Sequence, residues 1–355
     1  MSEIASIRNF DQFRDAVFAF RLPRILLSAI ELDIFTVMGR TTWTVRQLAN
    51  ALSASERGVE ILCRNLATAG LLKKQGPRYR ASPLAQHVLN ANSPTYRGAY
   101  LDLLRRQWED WSHLTQAVKT GKPVDDKEPE TPEYRRAFTW AMHQRSIESA
   151  REVASQLDLS GARSLLDVGG GPGTYALAFL RKNPQLHATV MDRPAALEVA
   201  KEIADSRPQR ARLHLYPGDL FTTPWPQGFD VVWISNVIHI YSAAENIRLL
   251  RLAKQALNPG GRLLIQDTFL TDKEGLRPAE ANLFAVTMLL FTETGNTYHV
   301  REVLAWLKTV GCTSQRLIKL KPGTGDWEGV IVEGSAGKRR GTSREPRPEK
   351  ARSSR

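Results

Sequence analysis

The stretch Ser164-Leu-Leu-Asp-Val-Gly-Gly-Gly-Pro-Gly173 decides the fold. An apolar run suited to a buried strand passes into a turn with glycine at Gly169, Gly171 and Gly173, and Asp167 stands two residues before the first of them. A turn this poor in side chains lets the backbone approach a ligand closely, and glycine tolerates the positive φ angles involved. Thr174 to Lys182 then reads as a helix whose N-terminal N–H groups face the same crevice. The spacing predicts a ligand cradle at the carboxyl end of a parallel strand. It is not the dinucleotide fingerprint G-x-G-x-x-G, because Thr174 occupies the place of the third glycine.

Further strands follow at regular intervals. His187-Ala-Thr-Val-Met-Asp192 reads as a second strand ending in an acid, and Tyr216-Pro-Gly-Asp-Leu-Phe221 follows a third. Phe229-Asp-Val-Val-Trp-Ile-Ser235 is a fourth, and Leu257-Asn-Pro-Gly-Gly261 closes a helix before a fifth, Arg262–Thr268. Strands alternating with helices predict an α/β, doubly wound parallel sheet. In order and spacing these segments resemble the class I S-adenosylmethionine-dependent methyltransferases. The resemblance implies a Rossmann-like methyltransferase sheet with S-adenosyl-L-methionine as cofactor. Asp167, Gly169, Gly171 and Gly173 would hold its amino-acid end, and Asp192 both ribose hydroxyls. Asp219 would meet the adenine amine, Leu220 and Phe221 would pack on the ring, and Ser235 completes the set. A Rossmann-like domain with another ligand, or none, is the competing reading.

A length of 355 residues suggests about two domains, with ample chain to bury a core. The start shows no uninterrupted apolar core of a signal peptide, and no run reaches the roughly eighteen apolar residues of a spanning helix. Cys63 and Cys312 fall in different domains without metal-ligand spacing, which suits reduced thiols and a cytoplasmic protein with no metal. The net charge of +12 is unevenly spread. Residues 338–355 carry +6 in a Pro/Ser/Gly/Arg-rich run, residues 1–122 carry +7, and the remainder carries −1. A basic tail from 336 to 355 is therefore expected to be disordered.

The region 1–120 reads as helices with a small winged element. Arg24–Phe35 has apolar residues at helical spacing, Thr44 N-caps a second helix, and Ser55–Ala69 is a third, ended by Gly70. Leu71 to Arg80 suggests a hairpin turning at Gly76-Pro77. Such a pattern can bind DNA, and the local positive charge permits it. Placed before a methyltransferase core, it resembles the dimerisation domain of the plant-caffeate and bacterial-polyketide O-methyltransferase family, which implies a homodimer. Nucleic acid is the disfavoured partner of the two, and no membrane partner is expected.

Region 121–160 is a charged, proline-rich linker, Gly121 to Pro132, and a connecting helix from about Glu133 through Leu157. The resemblance implies that Trp140, Met142 and His143 on that helix line the acceptor pocket, with an ordinary core stripe as the competing reading. It likewise places Met288, Leu289 and Thr292 against the acceptor. Region 161–335 is the cofactor-binding domain.

Methyl transfer from a sulfonium to a hydroxyl is an in-line displacement, so most of the task is alignment, and the hydroxyl proton must leave as the bond forms. A histidine suits that step. His239, just past the fourth strand, matches the position of the family's catalytic base, although the usual flanking acids are replaced here by Ile240 and Ala243. Asp267 aligns with the first acid that supports the base, and Thr297 replaces the second. Glu293 and His299 lie close enough in sequence to substitute for it.

The reading is thus a homodimeric, S-adenosylmethionine-dependent enzyme methylating a hydroxyl of a small aromatic, polyketide or isoprenoid acceptor. C-methylation, a catalytically silent cofactor-binding sensor and a DNA-binding regulator remain the alternatives.

Overall fold

The computed structural model describes residues 6–123, 131–321 and 329–337. Most of the proline-rich linker and nearly all of the expected disordered tail therefore lie outside the described residues.

The N-terminal half begins with α1 (Phe10–Phe18), which has no buried residue, followed by α2 (Arg21–Glu31) and α3 (Ile34–Met38). The single helix expected over Arg24–Phe35 is thus two. Asp33 adopts φ 51°, and a residue in the left-handed region breaks the hydrogen-bond ladder. After β1 (Thr42–Thr44) comes α4 (Val45–Ala51), opened by a reciprocal capping box between Thr44 and Gln47. In α5 (Glu56–Thr68) the Ser55 side chain accepts from the Gly58 N–H, and Gly70 at φ 76° follows the last turn. The hairpin β2 (Leu72–Gln75) and β3 (Arg78–Ala81) gains β1 as a third antiparallel strand. Ile34, Phe35, Met38, Leu48, Val59, Leu66 and Tyr79 form the core of this unit around Cys63. Then come α6 (Gly98–Asp110) and α7 (Leu114–Thr120).

The long connecting helix is α8 (Pro132–Gln156), capped by Thr131 and entered through proline, whose missing N–H is no loss at that position. The second half continues with β4 (Ser164–Val168), α9 (Thr174–Lys182), β5 (His187–Asp192), α10 (Pro194–Asp205), β6 (Leu213–Pro217) and β7 (Phe229–Ser235). It ends with α11 (Ala243–Ala256), β8 (Leu257–Gln266), β9 (Phe269–Leu270), α12 (Ala279–Phe291), β10 (Tyr298–His299), α13 (Val300–Thr309), β11 (Gln315–Lys319) and β12 (Val330–Ser335). Leu257–Gly261, expected to close a helix, enters β8 instead, because Leu257 already pairs with Phe229 across a ladder irregularity. The strand stops at Gln266, so Asp267 and Thr268 stand just beyond its end.

The seven-stranded sheet runs β6-β5-β4-β7-β8-β12-β11, parallel except for β12, which is antiparallel to both neighbours. Both faces are covered. Leu165, Phe179, Val190 and Trp233 pack on one side, and Leu166, Val168, Val232 and Ile234 on the other, so the strands read as continuous apolar runs. Trp233 is fully buried against Tyr175 and Phe179, and truncating it to alanine would cost about 3–5 kcal/mol. Strand order reverses between β4 and β7, which opens a crevice at their carboxyl ends. Both cysteines are unpaired and buried, and burial pushes the Cys63 thiol up to about 11. Among the described residues no helix is long and apolar enough to cross a membrane.

Candidate active site

The turn after β4 fills the crevice with backbone. Gly169, Gly171 and Gly173 have φ of 63°, 49° and 67°. The turn is pinned by Gly169 N–H to the Met191 carbonyl and by Gly173 N–H to the Gly170 carbonyl, each at 2.8 Å. Gly170, outside the alternating glycine spacing, is fixed by space: a Cβ there would sit 2.5 Å from the Asp167 carboxyl carbon. Asp167 itself is buried, accepts from the Ala176 N–H of α9, and has no hydrogen-bond partner for its Oδ2 among the described residues. Burial, with a further push from the charge of Asp192, raises it to about 7.

Asp192 ends β5 facing this turn. Its Oδ2 accepts from Gly171 N–H at 2.7 Å and its Oδ1 from Arg193 N–H at 2.7 Å. Burial raises its pKa against those hydrogen bonds. Asp219 is locked in a turn of its own, Oδ1 accepting from the N–H groups of Phe221 and Thr222, and the first of these chiefly lowers its pKa. Phe221 is held between the Tyr241 ring, edge-on at 5.0 Å, and the Arg248 guanidinium at 5.1 Å. Leu220 lies behind Gly169. A side-chain-free turn, an acid at the end of the neighbouring strand, an apolar wall and an orphaned buried carboxylate oxygen fit a nucleoside with a charged tail. The Ser235 hydroxyl, expected at the cofactor, donates to Gln266 Oε1 at 3.0 Å and bonds Tyr175, tying the ends of β7 and β8 to α9.

Past β7 the chain makes a short 3₁₀ turn, Ile238–Ile240, which carries His239. Its Nδ1 lies 2.7 Å from Asp267 Oδ1, and the two side chains are only 10% and 2% exposed. A carboxylate only accepts, so Nδ1 holds a proton, and in the neutral imidazole the lone pair is on Nε2. Asp267 is braced in turn by the Thr268 N–H at 2.8 Å. The Phe284 ring of α12 meets the imidazole edge-on at 4.7 Å. Beneath, the Asn296 N–H donates to the His239 carbonyl at 2.9 Å, and a Cβ on Gly295 would overlap that carbonyl and Thr292 Oγ1.

His299, one of the two residues considered as a replacement second acid, is engaged elsewhere. Glu293 is exposed. His299 caps α13: Nδ1 accepts from Arg301 N–H at 2.9 Å, so Nε2 is the protonated nitrogen and donates to the Asp272 carbonyl at 2.6 Å. Thr297 is buried beside this loop.

The phase of α8 separates the three residues read as acceptor wall. Met142 shares a face with Phe138 and Arg135, and Arg135 lies near Asp192, Arg193 and Tyr241. Trp140 and His143 lie on another face, Trp140 bonding Glu202 of α10 and His143 bonding Thr174 of α9. On α12, Met288 is buried one turn after Phe284, and Leu289 is partly buried. Thr292 ends the helix, donating to the Met288 carbonyl at 2.7 Å and accepting from Gly295 N–H. Gly170, Tyr241, Phe284 and Gly295 carry the site without having been singled out as contacts. Only the middle glycine of the Gly-Gly-Gly run left a trace that sequence could follow.

Comparison with known proteins agrees with this architecture. Residues 111–312 match the O-methyltransferase domain family, and residues 15–91 match the O-methyltransferase dimerisation domain. The chain is 32% identical to 3-hydroxy-5-methyl-1-naphthoate 3-O-methyltransferase of Streptomyces sahachiroi, over 86% of this chain and 90% of that protein. It is 29% identical to the tetracenomycin polyketide synthesis 8-O-methyl transferase TcmO of Streptomyces glaucescens, over 89% and 95%. The solved structure of mitomycin 7-O-methyltransferase MmcR superposes with a TM-score of 0.75 at 29% identity, over 92% of this chain and 97% of that one. The chain belongs to the O-methyltransferase family, with an N-terminal dimerisation domain preceding its catalytic domain.

Proposed function

We propose that this methyltransferase transfers a methyl group to a hydroxyl of a flat, largely uncharged aromatic acceptor of the polyketide type, with His239 as base and Asp267 holding it. The methyl donor is S-adenosylmethionine, which when bound supplies an electrophilic methyl on a sulfonium. Gly169 to Gly173 would cradle its amino-acid end, Asp192 would receive the ribose hydroxyls, and Asp219, Leu220, Phe221 and Tyr241 would surround the adenine.

The observation that carries the reading is the buried 2.7 Å contact between His239 Nδ1 and Asp267 Oδ1. It leaves Nε2 with a lone pair at the rim of the strands that form the cradle. Nε2 would take the acceptor hydroxyl's proton, freeing the oxygen for the methyl as its bond to the sulfonium sulfur breaks and S-adenosylhomocysteine leaves, and Asp267 would stabilise the imidazolium that results. General base assistance of this kind contributes about 10²–10⁴-fold. Phe284, Met288 and Met142 offer an apolar wall, and acceptors of the relatives named above, a hydroxynaphthoate among them, suit such a wall.

Support for a homodimer comes from α1 and its neighbours, where Phe10, Phe13, Val17, Phe18, Phe20 and Leu22 are all exposed, Phe10 to 74%. A groove of about 420 Å³ between α2 and α5, lined by Phe20, Ile25, Ile61 and Leu62, opens onto the same surface and lies in the N-terminal domain, not at the active site. A second copy covering this surface fits the dimerisation domain. The reduced, buried thiols fit a cytoplasmic setting.

The test is methyl-labelled S-adenosylmethionine offered with a panel of hydroxynaphthoates, anthraquinone phenols and their O-methyl ethers, read by mass shift and by NMR of the labelled carbon. A label on phenolic oxygen that vanishes with the O-methyl ethers supports the reading. Label on ring carbon, or none on any phenol, contradicts it.

A further inference from the structure

His143 is a buried titratable group that the mechanism above does not use. Its Nδ1 lies 2.8 Å from Thr174 Oγ1. Thr174 is the first residue of α9 and follows Gly173 directly, so the bond reaches the turn that approaches the cofactor. The Trp140 ring packs edge-on against the imidazole at 5.8 Å. Burial chiefly, with the positive charges of Arg207 and Arg97, lowers the imidazole to about 4, so the ring is neutral at pH 7. The next residue fixes the helix from the other side. Gln144 Oε1 accepts from Tyr100 N–H at 3.0 Å and its Nε2 donates to the Tyr96 carbonyl at 3.2 Å. Arg97 donates to the Gln144 carbonyl and pairs with Glu148 at 2.5 Å. His143 therefore hangs from a clamped stretch of α8.

We propose that His143 is a positioning residue for the cofactor and not part of the acceptor wall: through Thr174 it holds the first turn of α9, and with it the Gly171–Gly173 turn, in the form that binds the donor. This rests on the cofactor reading given above. The three positive-φ glycines bring no side chains of their own to brace the turn, and the hydrogen bond immediately after Gly173 adds to the backbone bonds that hold it. The helix phase agrees, since His143 and Met142 point to different neighbours.

The experiment is calorimetric binding of S-adenosylhomocysteine to the full chain, for wild type, His143→Ala, Thr174→Val, the double variant and His143→Asn. Thermal unfolding is followed alongside as a check on the fold. Thr174→Val is nearly isosteric, so it keeps the test open if His143→Ala does not fold. Asparagine presents a hydrogen-bonding atom near the place of Nδ1 and is the conservative rescue. Loss of one buried hydrogen bond predicts about five- to tenfold weaker binding for His143→Ala and for Thr174→Val, with no further loss in the double variant. His143→Asn should stay within about twofold of wild type, and the KM for the acceptor should not change in any of them. Wild-type affinity in both single variants, multiplied effects in the double variant, or a raised acceptor KM with unchanged S-adenosylhomocysteine binding would overturn the inference. Absence of binding by the wild type would overturn the cofactor reading itself, and this inference with it.

Discussion

Replacing Asp267 with asparagine separates charge from geometry at the base. Asparagine keeps an oxygen that can accept from His239 Nδ1–H, so orientation survives while the negative charge is lost. Both side chains are nearly fully buried and in contact at 2.7 Å. With charge centres roughly 4 Å apart and an effective dielectric near 20, the carboxylate favours the imidazolium by about 4 kcal/mol. Part of that is already present in the ground-state hydrogen bond, so the rate should fall by about 10²–10³-fold. The assay is single-turnover methyl transfer at saturating S-adenosylmethionine, for wild type, Asp267→Asn, His239→Ala and the double variant. The two residues act as a unit, so the double variant should be no slower than His239→Ala, and S-adenosylhomocysteine affinity should be unchanged throughout. A rate for Asp267→Asn within about threefold of wild type would show that the pair does not assist proton removal.

Other consequences concern the cradle and the surface. Asp167 is raised to about 7 by burial, so between about pH 4 and 7 the folded protein holds a proton that the unfolded chain has lost. Stability from this group is full below about pH 4 and is lost as pH rises to and through 7; Asp167→Asn should abolish that slope, be more stable than wild type at pH 8 by on the order of a few kcal/mol, and bind S-adenosylhomocysteine more weakly. Parallel melting curves against pH for the two proteins would contradict it. Gly170→Ala drives a methyl into the Asp167 carboxylate and should cost about 1–3 kcal/mol by chemical denaturation while abolishing cofactor binding by calorimetry. Phe13→Asp on α1, where nothing is buried within the chain, should leave the melting cooperative and give a monomer by light scattering; an unchanged dimer would place the interface elsewhere.

What the sequence makes legible is whatever rests on local pattern. Thr174–Lys182 is read with the bounds that α9 has, since glycine before it and basic residues at its end mark both limits. The hairpin at Gly76-Pro77 follows from turn chemistry alone. The break between α2 and α3 does not, because the left-handed residue is Asp33 and no glycine announces it. Phe284 and Tyr241 meet the site through tertiary packing, and an aromatic in an apolar helix looks the same in any core. The division of Trp140 and His143 from Met142 depends on how α8 is rotated about its axis, which the mixed polarity around that helix does not specify. His239 and Asp267 stand 28 residues apart on two loops, and only the resemblance to a family brings them to mind together.

In the proposed reaction the acceptor hydroxyl sits between the donor's methyl group and His239. The most direct measurement is a crystal structure with S-adenosylhomocysteine and an acceptor that is turned over. The acceptor oxygen is expected about 2.6–3.2 Å from His239 Nε2, with the thioether sulfur on the far side in line with the missing methyl. An acceptor oxygen facing Trp140 or open solvent, with His239 Nε2 unengaged, would contradict it.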